Sequence, residues 1–213
     1  EGLGTFTSNI SSLNPGTTYY VRAYATNSIN TSYGNEVSFK TSPVSPSLTT
    51  AAATQITYNS AKSGGNVTSD GGAAVTAYGV CWNTSQNPTI SNSHTVDGSG
   101  TGSFTSTLSG LVPSTNYWIR AYATNSAGTS YGGQQPFITA AAPYITVTSP
   151  VSGDHWIELE NRIITWTSNI TSDNVTISLY KASSLLLIIS SNTPNDGSYT
   201  WTAAQASDST AGY

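Results

Sequence analysis

Few side chains in this 213-residue chain could do chemistry: two histidines (His94 and His155), ten carboxylates and one cysteine, Cys81. A hydrolytic triad needs a nucleophile, a base and a group that orients the base. Asp154 and His155 adjoin many serines, but there is no Gly-x-Ser-x-Gly elbow, and neighbours in sequence rarely converge in a triad. Glu158 and Glu160, taken as a glycosidase pair, would lie side by side on one face of one strand, whereas that reaction needs carboxylates on both sides of a sugar. Asp154, Glu158 and Glu160 are also candidate hard-oxygen ligands for Ca2+ at a domain joint, yet no EF-hand or related spacing accompanies them. A lone cysteine excludes an internal disulfide and a cysteine-based zinc site. Cys81 alternates with Val80 and Trp82 and reads as a passive small hydrophobe. No catalytic residue, metal or cofactor is expected. Trp82, Trp118, Trp166 and Trp201 lie in strand patterns and read as core aromatics, while Trp156, in a turn region, is the candidate for stacking on a glycan.

Composition removes whole function classes. Charged residues make up 8% of the chain and the net charge is -4, which excludes a coiled coil, a basic nucleic-acid binder and a charge-rich disordered tail. The longest apolar run, residues 185–189, has the length of a strand and falls far short of the ~18 residues of a membrane-spanning helix, so no membrane insertion is expected. Abundant Ser, Thr, Asn, Gly and Tyr suit secreted β-structure, and glycosylation sequons stand at Asn9, Asn30, Asn66, Asn83, Asn169 and Asn174. The sequence has neither an initiator Met nor any other methionine, as expected of a processed or clipped piece of something longer.

The elements that must position these residues come from a repeat. Residues 4–42 align without a gap onto residues 102–140, with 22 of 39 positions identical. In the first copy Tyr19, Val21, Ala23 and Ala25 alternate with Tyr20, Arg22, Tyr24 and Thr26, a period of two with β-formers on both faces, which predicts a central strand. Residues 6–10 read as the strand before it, residues 27–34 as a loop and residues 37–41 as a last strand. The second copy repeats this order at 104–108, 116–124 and 135–139, and strands are predicted ahead of it at 52–58, 61–68 and 75–83. About seven strands is the count of an immunoglobulin-like sandwich. Arg22 and Arg120, at equivalent places, read as bridges between neighbouring strands.

Leu13-x-Pro-x-Thr-x-Tyr19-x-Val-Arg-Ala and Leu111-x-Pro-x-Thr-x-Tyr117-x-Ile-Arg-Ala resemble fibronectin type III domains. Gly79-Val-Cys-Trp82, Asn87-Pro-Thr89 and the run from Asp97 to Phe104 are similar to the variant found in tandem in large secreted proteins of Bacteroidetes-type bacteria. The resemblance covers residues 4–140 and implies that Tyr19 and Tyr117 are tyrosine-corner residues that pin the turn into the penultimate strand. Thr148-Ser-Pro150, Trp156, Ile164-Thr-Trp-Thr167, Val175-x-Ile-x-Leu-Tyr180 and Asn195-Asp-Gly-Ser-Tyr-x-Trp201 resemble the Ig-like domain of the yeast cell-wall β-glucan assembly family, also seen in Ser/Thr-rich anchored surface proteins. That family often has Gly a few residues after the first Trp, where this chain has Ile157-Glu-Leu-Glu160.

The expected architecture is all-β: tandem immunoglobulin-like or fibronectin type III-like sandwiches, the first and last incomplete. Residues 1–42 form the C-terminal half of a sandwich, 43–140 a complete one, and 141–213 an Ig-like sandwich lacking its last strand or strands. Pro43 and Pro46 mark one joint and residues 140–143 the other. Two explanations stand for the incomplete ends: a window cut from a longer polypeptide, or subunits that complete one another by head-to-tail strand complementation. The expected partners are therefore copies of itself or neighbouring domains of a longer chain, and glycans in the alternative reading; the expected location is secreted, at a cell surface. The functional expectation is a non-catalytic fibre, filament or adhesin-stalk protein, with a carbohydrate-binding accessory module of a polysaccharide-active enzyme as the alternative.

Overall fold

A computed structural model describes residues 4–157 and 159–202. By its contacts the chain divides into two compact units, Glu1–Ala141 and Ala142–Tyr213. Every regular element among the described residues is a strand.

The first unit opens with an antiparallel hairpin in two pieces. Strand β1 (Thr18–Val21) continues as β2 (Tyr24–Thr26), and the chain returns as β3 (Thr31–Tyr33) and β4 (Val37–Lys40). β1 pairs with β4 from Thr18 opposite Lys40 to Val21 opposite Val37, and β2 pairs with β3. The predicted loop over 27–34 is thus confined to the turn itself. Asn27 Oδ1 accepts from the Ile29 and Asn30 amides, and the Thr26 and Thr31 hydroxyls meet at 2.7 Å, so Thr31 is already back in register. Residues 6–10, predicted as a strand, form none. Their copy, within β9 (Gly102–Ser109), pairs along its whole length with β6 (Ser60–Ser69), and no counterpart of β6 lies beside residues 6–10 among the described residues. A strand is a property of a pair, because its amides need a partner.

Residues 43–140 form a two-sheet sandwich. One sheet has the order β5-β6-β9, with β5 spanning Ser47–Thr54. The other runs from β8 (Ser93–His94) through β7 (Ala77–Asn83) to β10 (Asn116–Asn125), whose far edge carries β11 (Gly128–Tyr131) and β12 (Gln135–Ile138). β10 is central, as its two apolar faces predict. Ala61, Val80, Leu108, Leu111, Ile119 and Phe137 pack between the sheets, with Val67, Val75 and Ala123 as a second cluster. β5 starts five residues before the predicted strand and ends before its close. Its Ser/Thr-rich sequence shows little alternation, and its place comes from pairing with β6 and from the Thr50 hydroxyl, which accepts the Ala121 amide at 3.0 Å.

The initial hairpin meets the sandwich through bare backbone. A Cβ on Gly16 would fall on the backbone of Gly72, 2.6 Å from its Cα, and Gly16 has φ +64°. The copy carries Ser114 here at φ 51°, so a side chain tolerates the dihedral and it is the Gly72 contact that demands glycine. Gly16→Ser, which only restores the copy's residue, is expected to speed proteolysis within residues 41–46 several-fold. Denaturation of the central sandwich should stay within about 0.5 kcal/mol of the parent.

The second unit contains β13 (Ile145–Ser149), β14 (Asn161–Ser168), β15 (Val175–Lys181), β16 (Ser184–Thr193) and β17 (Ser198–Thr202). β13-β14-β17 form one antiparallel sheet and β15-β16 a separate pair. An open groove between them is lined by Ile145, Val147, Ile164, Trp166, Val175 and Ile177. Trp166 is buried, its indole N–H donating to Asn195 Oδ1 at 2.6 Å, while Asn195 Nδ2 donates to Ile170 O. The apolar run at 185–188 lies on β16 and is exposed throughout. Among the described residues β15 has a neighbour on one edge only, an arrangement that leaves backbone donors and acceptors open to another strand. The expectation that the last strands are missing falls on residues 203–213 and beyond, outside the described residues.

Candidate interaction surface

The two copies of the repeat hold the same internal contacts. Tyr19 Oη accepts from the Asn14 amide at 2.8 Å, and Tyr117 Oη from the Val112 amide at 3.1 Å. Tyr19 stacks on Phe39 with ring centroids 5.9 Å apart, and Tyr117 on Phe137 at 5.6 Å. Thr41 Oγ1 donates to Asn14 O and Thr139 Oγ1 to Val112 O, each at 2.6 Å. Arg22 Nε donates to Gly34 O with its guanidinium over Tyr33; Arg120 repeats both contacts with Gly132 and Tyr131. Both arginines therefore span from one strand of the hairpin to the next.

What differs is cover. Leu108, Ile119 and Tyr122 are 0%, 0% and 3% exposed, while their counterparts Ile10, Val21 and Tyr24 are 53%, 40% and 66% exposed. Phe6, Tyr20 and Val37 are exposed as well. Val21 and Val37, with Ile10 and Phe6, thus form an apolar face on residues 4–42, while Tyr20 and Tyr24 stand on the opposite face of the hairpin; an exposed apolar patch of this kind is a candidate interaction surface. An open groove runs along it between residues 6–10 and 21–24.

Trp156 is half-buried against Trp201, with ring centroids 6.2 Å apart and planes tilted by 47°. Trp201 lies opposite Arg162 in the β14–β17 ladder, and Arg162 holds Glu160 at 2.6 Å. Glu158 lies outside the described residues. Asp154 Oδ2 accepts the Val151 amide and closes a turn, and His155 is exposed. Among the described residues no group of three His, Cys, Asp or Glu side chains could hold a metal ion. Of the sequon asparagines, Asn9, Asn30, Asn169 and Asn174 are exposed and Asn66 and Asn83 half-buried. The Asn169 amide ties Ala142 O to the Tyr144 N–H, and Asn174 Nδ2 donates to Asn192 Oδ1.

Cys81 is buried, its Sγ 3.3 Å from Pro88 O and 3.4 Å from Arg120 O. Burial pushes its thiol pKa from 9.0 up to about 11, against a smaller opposing effect of the Arg120 charge. A raised acid pKa keeps the folded state protonated while the unfolded thiol ionises, so stability falls as pH rises from 9 to about 11. Burial, seconded by Asp97, raises Tyr122 in the same direction. Cys81→Ala is therefore expected to flatten, without abolishing, the alkaline loss of stability, measured by denaturant unfolding at pH 8 and pH 10.5.

Sheet order and burial define the class of the molecule: all-β, with tandem sandwiches of the fibronectin type III or immunoglobulin-like kind, the first and last incomplete among the described residues. No family model matches the chain, and no curated protein matches it. Among solved structures it is similar to the sensor domain of the anti-sigma factor RsgI4 of Pseudobacteroides cellulosolvens, at 22% identity over 46% of this chain and 96% of that one, with a TM-score of 0.36. It is also similar to domains d3–d4 of the rat CD45 extracellular region, at 19% identity over 65% and 74% of the two chains, TM-score 0.46. Domains FN1–FN3 of chicken CNTN1 match at 20% identity over 61% and 45%, TM-score 0.35. Likeness at this level carries no argument about function, and the fold rests on the sheet order itself. No helix among the described residues is long and apolar enough to cross a membrane.

Proposed function

We propose that the chain is a non-catalytic extracellular structural protein, a subunit or segment of a surface fibre, filament or adhesin stalk, in which incomplete sandwiches are closed by strands from elsewhere. The observation that carries this reading is the exposed apolar face of residues 4–42 beside its buried copy. The single-edged β15 and the open groove of the second unit support it from the other end. In its polymerising form, strands of one chain complete an open sandwich of the next, head to tail. Such a head-to-tail contact does not close on itself unless its rotation makes a ring, and so propagates. Negative-stain microscopy and sedimentation of the purified chain test it. Filaments or concentration-dependent oligomers are expected; a monodisperse monomer with slow amide exchange at both ends overturns the polymerising form.

The Trp156–Trp201 pair favours a second reading, a carbohydrate-binding accessory module of a secreted polysaccharide-active enzyme. Binding of dispersed monomers to a glycan array, lost in Trp156→Ala, would establish it.

A further inference from the structure

We propose that the open face of residues 4–42 is a preformed receptor for a three-stranded segment with the side-chain pattern of residues 44–83. This deepens the reading of the chain as a fibre protein by naming what the uncovered face binds. The second copy of the repeat shows the receptor filled.

The first wall is steric. In the filled copy β6 passes between Phe104 and Ala121 at Gly65. A Cβ built there would lie 2.7 Å from the Ala121 Cβ and 3.2 Å from the Phe104 ring, and would also strike Thr49 O. Only glycine fits this crossing. The counterparts Phe6 and Ala23, identical in type, line the empty groove of the first copy together with Ile10, Val21 and Tyr24. The groove therefore selects a strand with glycine at its centre and apolar residues to either side, as Ala61 and Val67 flank Gly65.

Two polar groups carry the same message. Ala121 N–H is satisfied by the Thr50 hydroxyl of β5, and among the described residues no hydroxyl meets Ala23 N–H. Asn125 Nδ2 donates to Val44 O at 2.8 Å and to Asp70 O at 2.7 Å, gripping the chain before β5 and the turn after β6. Asn27 makes the same turn contacts through Oδ1, but among the described residues its Nδ2 has no partner. The outer edge of β10 is paired with β7 from Trp118 opposite Asn83 to Thr124 opposite Ala77, whereas β1 and β2 are paired on one side only. Steric fit, hydroxyl, amide and edge all call for one segment, and residues 44–83 supply all four. Because the tyrosine, threonine and arginine contacts of the hairpin are already those of the filled copy, the hairpin itself needs little rearrangement, and only residues 6–10 must become a strand against the bound segment.

The test adds a synthetic peptide of residues 44–83 to the dilute, isotopically labelled 213-residue chain and follows Ala23 amide exchange and the Asn27 side-chain amide. Expected is a slowing at Ala23 of about tenfold or more, with a shifted Asn27 amide. Ala121 and Asn125, which report exchange of the peptide into the central sandwich, should be unchanged. A peptide carrying Gly65→Val, and a chain carrying Ala23→Phe, should both lose the effect. Equal protection by the Gly65→Val peptide, no protection by the parent peptide, or an Ala23 amide already protected before any peptide is added each overturns the proposal. Polymerisation is not required for the result, so this test and the microscopy fail independently.

Discussion

Leu108→Ala is expected to destabilise the central sandwich by about 3 kcal/mol, the cost of emptying a fully buried leucine site. Ile10→Ala, at the equivalent repeat position, should cost less than about 0.5 kcal/mol because its side chain already meets solvent. Leu108 is 0% exposed and sits among Ala61, Val80, Ile119 and Phe137, whereas Ile10 is 53% exposed. Denaturant titrations of the two variants, followed by backbone-amide signals of residues 4–42 and 43–140, measure the contrast. Comparable losses at both sites would mean that residues 4–42 are covered in solution.

Asn125→Ala is the second large effect. The side chain is 5% exposed and makes four hydrogen bonds: Oδ1 accepts from the Ala127 and Gly128 amides, and Nδ2 donates to Val44 O and Asp70 O. Truncation strands buried backbone groups that water reaches poorly, at a cost of about 3 kcal/mol. It also frees the chain ahead of β5, so cleavage by a protease near residues 43–46 should accelerate together with the fall in stability. Asn27→Ala loses the equivalent turn contacts, but these are exposed, and it should shift stability by only about 0.5 kcal/mol.

Where alternation coincides with burial on both sides, the elements were legible in the sequence. β6, β7, β9, β10 and β12 fall within a residue or two of where Ala61, Cys81, Phe104, Tyr117 and Phe137 put them. β11 escaped because Gly128, Thr129 and Ser130 look like loop residues; they pair because the Asn125 turn delivers them opposite β10. β8, two residues long, has no pattern to find. The residues 6–10 segment shows the converse limit, since its side chains match those of a true strand and only the partner is lacking. The uncovered face could be read from the repeat, because residues 4–42 match residues that the second copy buries, and among the described residues nothing equivalent covers them. The Thr50 and Asn125 contacts could not, since they join residues 71 and 81 positions apart.

The hairpin that keeps its tyrosine, threonine and arginine contacts in both settings also bears on how the sandwich assembles. A piece of structure that holds its register without the opposite sheet can form before distant strands meet, which spares the slow step of long-range closure. Residues 116–138 are therefore expected to form the folding nucleus of the central domain. Mutations at Thr124 and Phe137 should slow refolding, whereas Leu48, on the late-docking first strand, should mainly speed unfolding, a split that stopped-flow kinetics resolves.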